Sequence, residues 1–248
     1  MKKLALLFNL MLLAFGLTAQ TNYYFPTEVG TVLTYKNFNA KGKVDKDTPW
    51  YTYTITKVEK KGEDTHIFFT VDFKDKEKLD MKNVFDNLEV IIKKDVMEIE
   101  FFNSIVGKLF VASMSSEFKD MSVSTSGSNM KYFPLNAETG ATIPNTELKI
   151  TMEMPVQGMN MQSVSIIGIY DSKIVAKEDL TTPAGTFTCL KVSEKLKNTT
   201  SMGGMVMQGT EQSNNTWLAK GIGFVKMETY DKKGKLESYL ELEKIEKK

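Results

Sequence analysis

One cysteine, one histidine and no arginine occur in 248 residues, and each shortage closes a route. A lone cysteine forms no internal disulfide, so the fold rests on its core and not on covalent staples. Cys189 lies in the apolar run Thr186-Phe187-Thr188-Cys189-Leu190-Lys191-Val192, where it reads as a small buried hydrophobe and not as a reactive thiol. Without arginine there is no planar fork to clamp phosphate or carboxylate, which argues against nucleotide and phosphate recognition. Basic and acidic side chains nearly cancel, 32 against 31, so no overall field draws nucleic acid or anionic lipid.

Long apolar runs are as scarce as cysteine. The one that exists follows Lys2-Lys3, extends from Leu4 to Leu17 and ends at Thr18-Ala19-Gln20, the layout of a secretory signal cleaved after Ala19. As a helix it would reach about 21 Å, short of a hydrocarbon core of about 30 Å. No later segment is apolar enough to span, and a lipid-bearing cysteine is missing at the cleavage point, so no transmembrane or lipid anchor is expected. The expectation is a signal peptide over 1–19 and a single antiparallel-β domain over 20–248, periplasmic or secreted.

What the chain does have is period-two alternation. Tyr51, Tyr53 and Ile55 oppose Thr52, Thr54 and Thr56; Ile67, Phe69, Val71 and Phe73 oppose His66, Phe68, Thr70 and Asp72. Leu148, Ile150, Met152 and Met154 oppose Lys149, Thr151 and Glu153, and Leu236, Leu240 and Leu242 oppose Glu237 and Glu241. Turn signals separate such runs: Lys60-Lys61-Gly62-Glu63-Asp64, Lys93-Lys94-Asp95, Pro155-Val156-Gln157-Gly158, Met202-Gly203-Gly204 and Asp231-Lys232-Lys233-Gly234. This predicts an all-β fold, an antiparallel meander of hairpins curled into a half-barrel, barrel or sandwich, with at most one or two short helices. Met81, Val84, Phe85 and Leu88 at helical spacing mark one candidate helix. The Ser-, Thr- and Met-rich stretch from Ser113 to Met130 reads as a mobile hairpin or loop. Ala40-Lys41-Gly42-Lys43 is echoed by Lys232-Lys233-Gly234-Lys235, too faintly to claim a duplication.

Residues suited to chemistry are few. His66 is the only histidine, and Asp72, on its face of the strand, stands about 20 Å along it, out of hydrogen-bonding reach. There is no nucleophile elbow, no His-rich metal spacing and no glycine-rich phosphate loop, although 31 acidic residues leave paired carboxylates open. No catalytic residue is singled out and no cofactor is expected. Methionine is the sharper signal: Met152, Met154, Met159 and Met161 flank one turn, and Met202, Met205 and Met207 another. Residues two apart on a strand share a face about 6.7 Å apart, so thioethers could converge on Cu(I); alternatively, methionine simply fills an irregular apolar interior.

Three stretches together resemble a known family: Tyr24-Phe25-Pro26-Thr27-Glu28-Val29-Gly30-Thr31, residues 175–189 with Thr182-Pro183-Ala184-Gly185-Thr186-Phe187 at their centre, and Trp217-Leu218-Ala219-Lys220-Gly221-Ile222-Gly223-Phe224-Val225-Lys226. The set is similar to the exported DUF3108-like proteins of the Bacteroidetes, also called the TapB family. Where relatives often carry an Asn-Arg pair, this chain has Ser172-Lys173. The resemblance implies an all-β exported envelope protein without an assigned activity or catalytic residues. The stretches also have a structural account: Pro183 and Gly185 shape a turn into a buried strand at Phe187, and Gly221 and Gly223 permit a bulge beside the core anchor Trp217. The resulting reading is an envelope binding or structural module for an apolar ligand, a lipid or a partner protein. A hydrolytic enzyme and a Met-rich Cu(I)-binding protein are the alternatives.

Overall fold

The computed structural model of the protein describes residues 23–46, 49–74, 85–100, 122–127, 130–156 and 159–248. The expected signal peptide lies outside these residues, as does the candidate helix as far as Val84; its last residue, Leu88, opens a strand.

Alternating side chains make strands, and here they make one sheet. In chain order the described strands are β1 (Thr31–Asn39), β2 (Trp50–Lys61), β3 (Asp64–Phe73), β4 (Leu88–Ile92), β5 (Val96–Glu100), β6 (Ser122–Gly127) and β7 (Met130–Pro134). They continue with β8 (Thr146–Val156), β9 (Met159–Thr182), β10 (Gly185–Met202), β11 (Met205–Ala219), β12 (Gly223–Asp231) and β13 (Leu236–Lys247). All are antiparallel, in the spatial order β6-β8-β9-β10-β11-β12-β13-β1-β2-β3-β4-β5-β7. Two meanders, β2 to β5 and β8 to β13, are thus joined by β1, which pairs with both β2 and β13. The expected hairpin order holds within each meander.

One expectation is corrected. Ser122–Gly127, read as part of a loop or hairpin, is an edge strand on β8, and β7 lies at the opposite edge on β5. Gly127 and Met130 are three peptide steps apart, at most about 11 Å, so the two edges must approach each other there. After β7 the chain crosses to β9: Gly140 and Ile143 donate their N–H groups to the carbonyls of Ile174 and Ser172, and Ile174 donates to Ala141. This strap ties one end of the sheet to the other, which answers the exposed-edge problem of an open sheet.

The turns follow their residues. Gly203 and Gly204 both have positive φ, 56° and 83°, as a two-residue hairpin of the primed type requires. The Lys-Gly-Lys echo is shared turn chemistry: Asn39 Oδ1 accepts from the N–H groups of Lys41 and Lys43, and Asp231 Oδ1 from those of Lys233 and Lys235.

β9, β10 and β11 are long enough to leave the body of the sheet. β12 pairs with β11 only from Gln212 onward, and β8 pairs only with the first half of β9. The body holds two buried clusters, one around Ile67, Val90, Ile174 and Val192 and one around Tyr35, Trp217, Val225 and Leu242. The extension has its own small core of Leu148, Ile150 and Ile169. The junction is Asp171, with φ of 54°, where β9 loses register with β10. Before it the odd-numbered residues of β9 point inward, with Ser163, Ser165 and Ile169 buried; after it Ser172 and Ile174 do.

Candidate functional site

A groove of about 1160 Å³ opens where four distant parts of the chain meet: Tyr24, the strap from Leu135 to Thr139, Lys177 with residues 186–190, and Ala219 with Lys220. Each wall has a local cause. The turn between β9 and β10 is Pro183-Ala184, with Thr182 Oγ1 accepting from the Ala184 N–H and Gly185 at φ 137°. It delivers Thr186, Phe187 and Thr188 to the groove, while Thr181 and Thr186 hydroxyls meet at 2.9 Å and Thr188 Oγ1 donates to Asp179 at 2.6 Å.

The opposite wall is set by the turn after β11. Gly221 donates its N–H to the Tyr23 carbonyl at 2.7 Å, and a Cβ on Gly223 would stand 3.5 Å from the Tyr24 carbonyl, so the N-terminal segment lies directly on this turn. Tyr24 packs edge-on against Phe133 with ring centroids 5.0 Å apart, and Lys220 Nζ lies 5.9 Å from the Tyr24 ring centre. Trp217 is the anchor behind the wall. Its Nε1–H donates to Glu178 at 2.6 Å, and the ammonium groups of Lys191 and Lys226 lie 4.6 and 5.5 Å from its ring. Desolvation is offset there by a charge-assisted hydrogen bond and cation–π contacts. The three stretches that carried the family resemblance therefore converge here.

The sequence matches the DUF3108-like family over residues 28–242. The chain belongs to this family. Two crystal structures share its fold: a presumed exported protein with a YmcC-like fold from Bacteroides fragilis, and a presumed lipoprotein from Parabacteroides distasonis. Each is 19% identical, with TM-scores of 0.58 and 0.60; the matches cover 91% and 90% of this chain and 99% and 98% of theirs. No curated protein matches the chain.

In this DUF3108-like protein Cys189 sits on the groove floor, its residue wholly buried and its Sγ 3.4 Å from the Phe187 carbonyl. Burial, and then the carboxylates of Asp179 and Glu178, push the thiol up to about 11, so it stays protonated at neutral pH. The groove offers hydroxyls of Thr139, Thr186 and Thr188, the ammonium groups of Lys177 and Lys220 and the carboxylate of Glu138.

His66 is elsewhere, on β3. Its Nδ1 lies 2.6 Å from Glu89 Oε1 on β4, a partner that strand spacing did not single out. The aromatic residues of the body pack on one another: Tyr35 stacks on Phe224 at 4.4 Å, and Tyr53 touches Tyr35, Phe69 and Phe224 at 5.3 to 5.8 Å. Ser172 is buried and donates to Glu194 at 3.3 Å.

Proposed function

We propose that this protein is an exported binding module of the cell envelope that holds a polar segment of a partner protein in the groove. The carrying observation is the convergence of three stretches, far apart in sequence, on one surface lined by hydroxyls and two lysines. The N-terminal signal layout supports export, and the presumed export of the Bacteroides fragilis neighbour agrees with it. A partner protein is favoured over an apolar ligand because the aromatic side chains of the body are already packed on each other. The segment recognised should carry acidic side chains towards Lys177 and Lys220 and hydrogen-bonding groups towards Thr139, Thr186 and Thr188.

The test is site-specific photocrosslinking in envelope-producing cells with a benzophenone side chain at Thr139. The expected result is one discrete protein adduct that disappears when Lys177→Glu and Lys220→Glu are combined. Adducts equally strong from Lys232, on the exposed turn between β12 and β13, or unchanged by charge reversal, would remove the groove as the site. A thermal shift with fatty acid or phospholipid in place of an adduct would favour the apolar ligand.

A further inference from the structure

The two methionine-rich turns meet on one face of the extension. Along the paired strands β8, β9, β10 and β11, Met152 is opposite Ser163, Ser163 opposite Met202, and Met202 opposite Met205. Directly paired residues project to the same side of a sheet, and so does Met161, two residues before Ser163. Met152 and Met202 flank Ser163 two strand spacings apart, about 10 Å, and Met161 is diagonal to both at about 7–8 Å, within reach of long side chains. The smallest side chain of the row is thus ringed by thioethers. Ser163 and Met152 are buried, Met161 and Met202 half-buried, and Met205 is 70% exposed, so the group runs from the core out to water.

The chemistry around it is selective by what it omits. Residues 154–170 and 198–210 contain no Asp, Glu, Lys, His or Cys in a chain that is 25% charged. Hard divalent cations require anionic oxygen, and zinc requires thiolate or imidazole. Among the described residues, no three His, Cys, Asp or Glu are grouped to hold a metal. Neutral, polarisable thioethers suit a soft monovalent ion, whose single charge demands no carboxylate beside it. Packing does not account for the outer members, since Met205, Val206 and Met207 are 70%, 70% and 64% exposed.

We propose that Met152, Met161 and Met202 form a thioether site for Cu(I), with Met205 at its solvent edge. The ion binds as Cu(I) and leaves as Cu(I), with no electron transferred. This inference is independent of the groove and its partner.

The test uses the mature protein labelled with 13C at the methionine methyl groups. Tetrakis(acetonitrile)copper(I) is titrated in without oxygen, against bathocuproine disulfonate as competitor. One equivalent should bind with about micromolar affinity or tighter. The methyl signals of Met152, Met161, Met202 and Met205 should shift, and those of Met97 and Met227 should stay. Combining Met161→Leu with Met202→Leu should weaken binding at least tenfold, whereas Met227→Leu should not. Leucine keeps the volume, so the melting temperature should change little; if the double variant does not fold, the methyl shifts of the wild type decide. Shifts spread over all methionines, binding unchanged in a folded double variant, no binding at all, or methyl signals that answer to phospholipid vesicles and not to Cu(I) would overturn the site.

Discussion

The body and the extension share β9, β10 and β11 but are stabilised by different materials. Among the described residues, sixteen buried ones, mostly Ile, Val, Leu and aromatic, form the larger cluster of the body, against three in the cluster of the extension. Where the body has interlocked rings, the inner face of the extension has hydroxyls: Thr146, Ser163 and Ser165 are buried, and Ser165 meets Thr200 oxygen to oxygen at 3.0 Å. Among the described residues, Asn198 in the extension and Asn214 in the body each bury a side-chain carbonyl oxygen without a hydrogen-bond partner, at about 1–3 kcal/mol each, so this cost does not separate the two regions. Apolar burial contributes roughly 25 cal/mol per Å², so continuous backbone pairing does not make the two regions equally stable. Elements that bind or move are drawn from the low-stability end of a protein, and here that end carries the methionines.

The largest test of this comparison is a pair of truncations. Ile67→Ala, in the body where Ile67 is wholly buried, should cost about 2–5 kcal/mol and lower the melting temperature by roughly 4–20 °C. Ile150→Ala, also wholly buried but in the extension, should shift the global transition less than half as far. Its effect should appear instead as faster hydrogen exchange in β8 and the first half of β9. Equal shifts in both variants would show that body and extension unfold as one unit.

A middle-sized effect is expected at the seam where the terminal strands close the body. Gly30 has φ of 87°, donates its N–H to Ile55 and accepts from Lys248, and a Cβ there would stand 2.4 Å from the Lys248 carbonyl oxygen. Gly62 has φ of 64° with nothing within 4 Å of such a Cβ. Both alanine variants bear the left-handed backbone cost of about 1–2 kcal/mol, but only Gly30→Ala must also displace the end of the chain. Denaturant titration should therefore find Gly30→Ala the less stable of the two. Equal stabilities would mean that the last residues give way freely.

The comparison also shows what sequence patterns can carry. Ile67, Phe69 and Val71, and Leu148, Ile150 and Met152, announce their strands because each has a single buried face, and their alternation matches the burial observed. Glycine marked the turns for the same local reason: Gly62, Gly203, Gly204 and Gly234 all take positive φ. β6 left no such trace, because Val123 is the single apolar side chain of Ser122–Gly127 and one residue cannot alternate. The change of inward parity at Asp171 was equally silent, since aspartate enters the left-handed region without a distinctive neighbour pattern. For the sites, the sequence showed residue types but not meetings. The two methionine turns are joined only through the β9 to β10 register, and His66 finds Glu89 only across β3 and β4. The family stretches marked the groove walls, while the strap from Leu135 to Thr139 that completes the groove had no signal of its own.

The smallest effect belongs to a row across the body in which Lys191, Trp217, Lys226, Glu241, Lys36 and Trp50 lie directly opposite one another on successive strands. Glu241 stands between two lysines that are directed to other carboxylates: Lys226 to Glu228 at 2.7 Å and Lys36 to Glu243 at 2.5 Å. Burial raises the Glu241 carboxyl above its usual range; the attraction of Lys226 opposes this and the nearness of Glu243 adds to it. A carboxyl with a raised folded-state value holds its proton more tightly when folded. Stability therefore falls as pH rises from the ordinary carboxylate range through the raised value, and the deficit persists at neutral pH. Glu241→Gln removes the titration, so the variant should be slightly more stable than the parent at neutral pH. The group is partly exposed, so solvent screening keeps the gain well under about 1 kcal/mol. Below the ordinary carboxylate range both side chains are uncharged and the difference should vanish. Melting temperatures of the two proteins across this range decide the matter: a variant less stable by the same amount at every pH would show that Glu241 acts through packing and hydrogen bonding, and not through the cost of its charge.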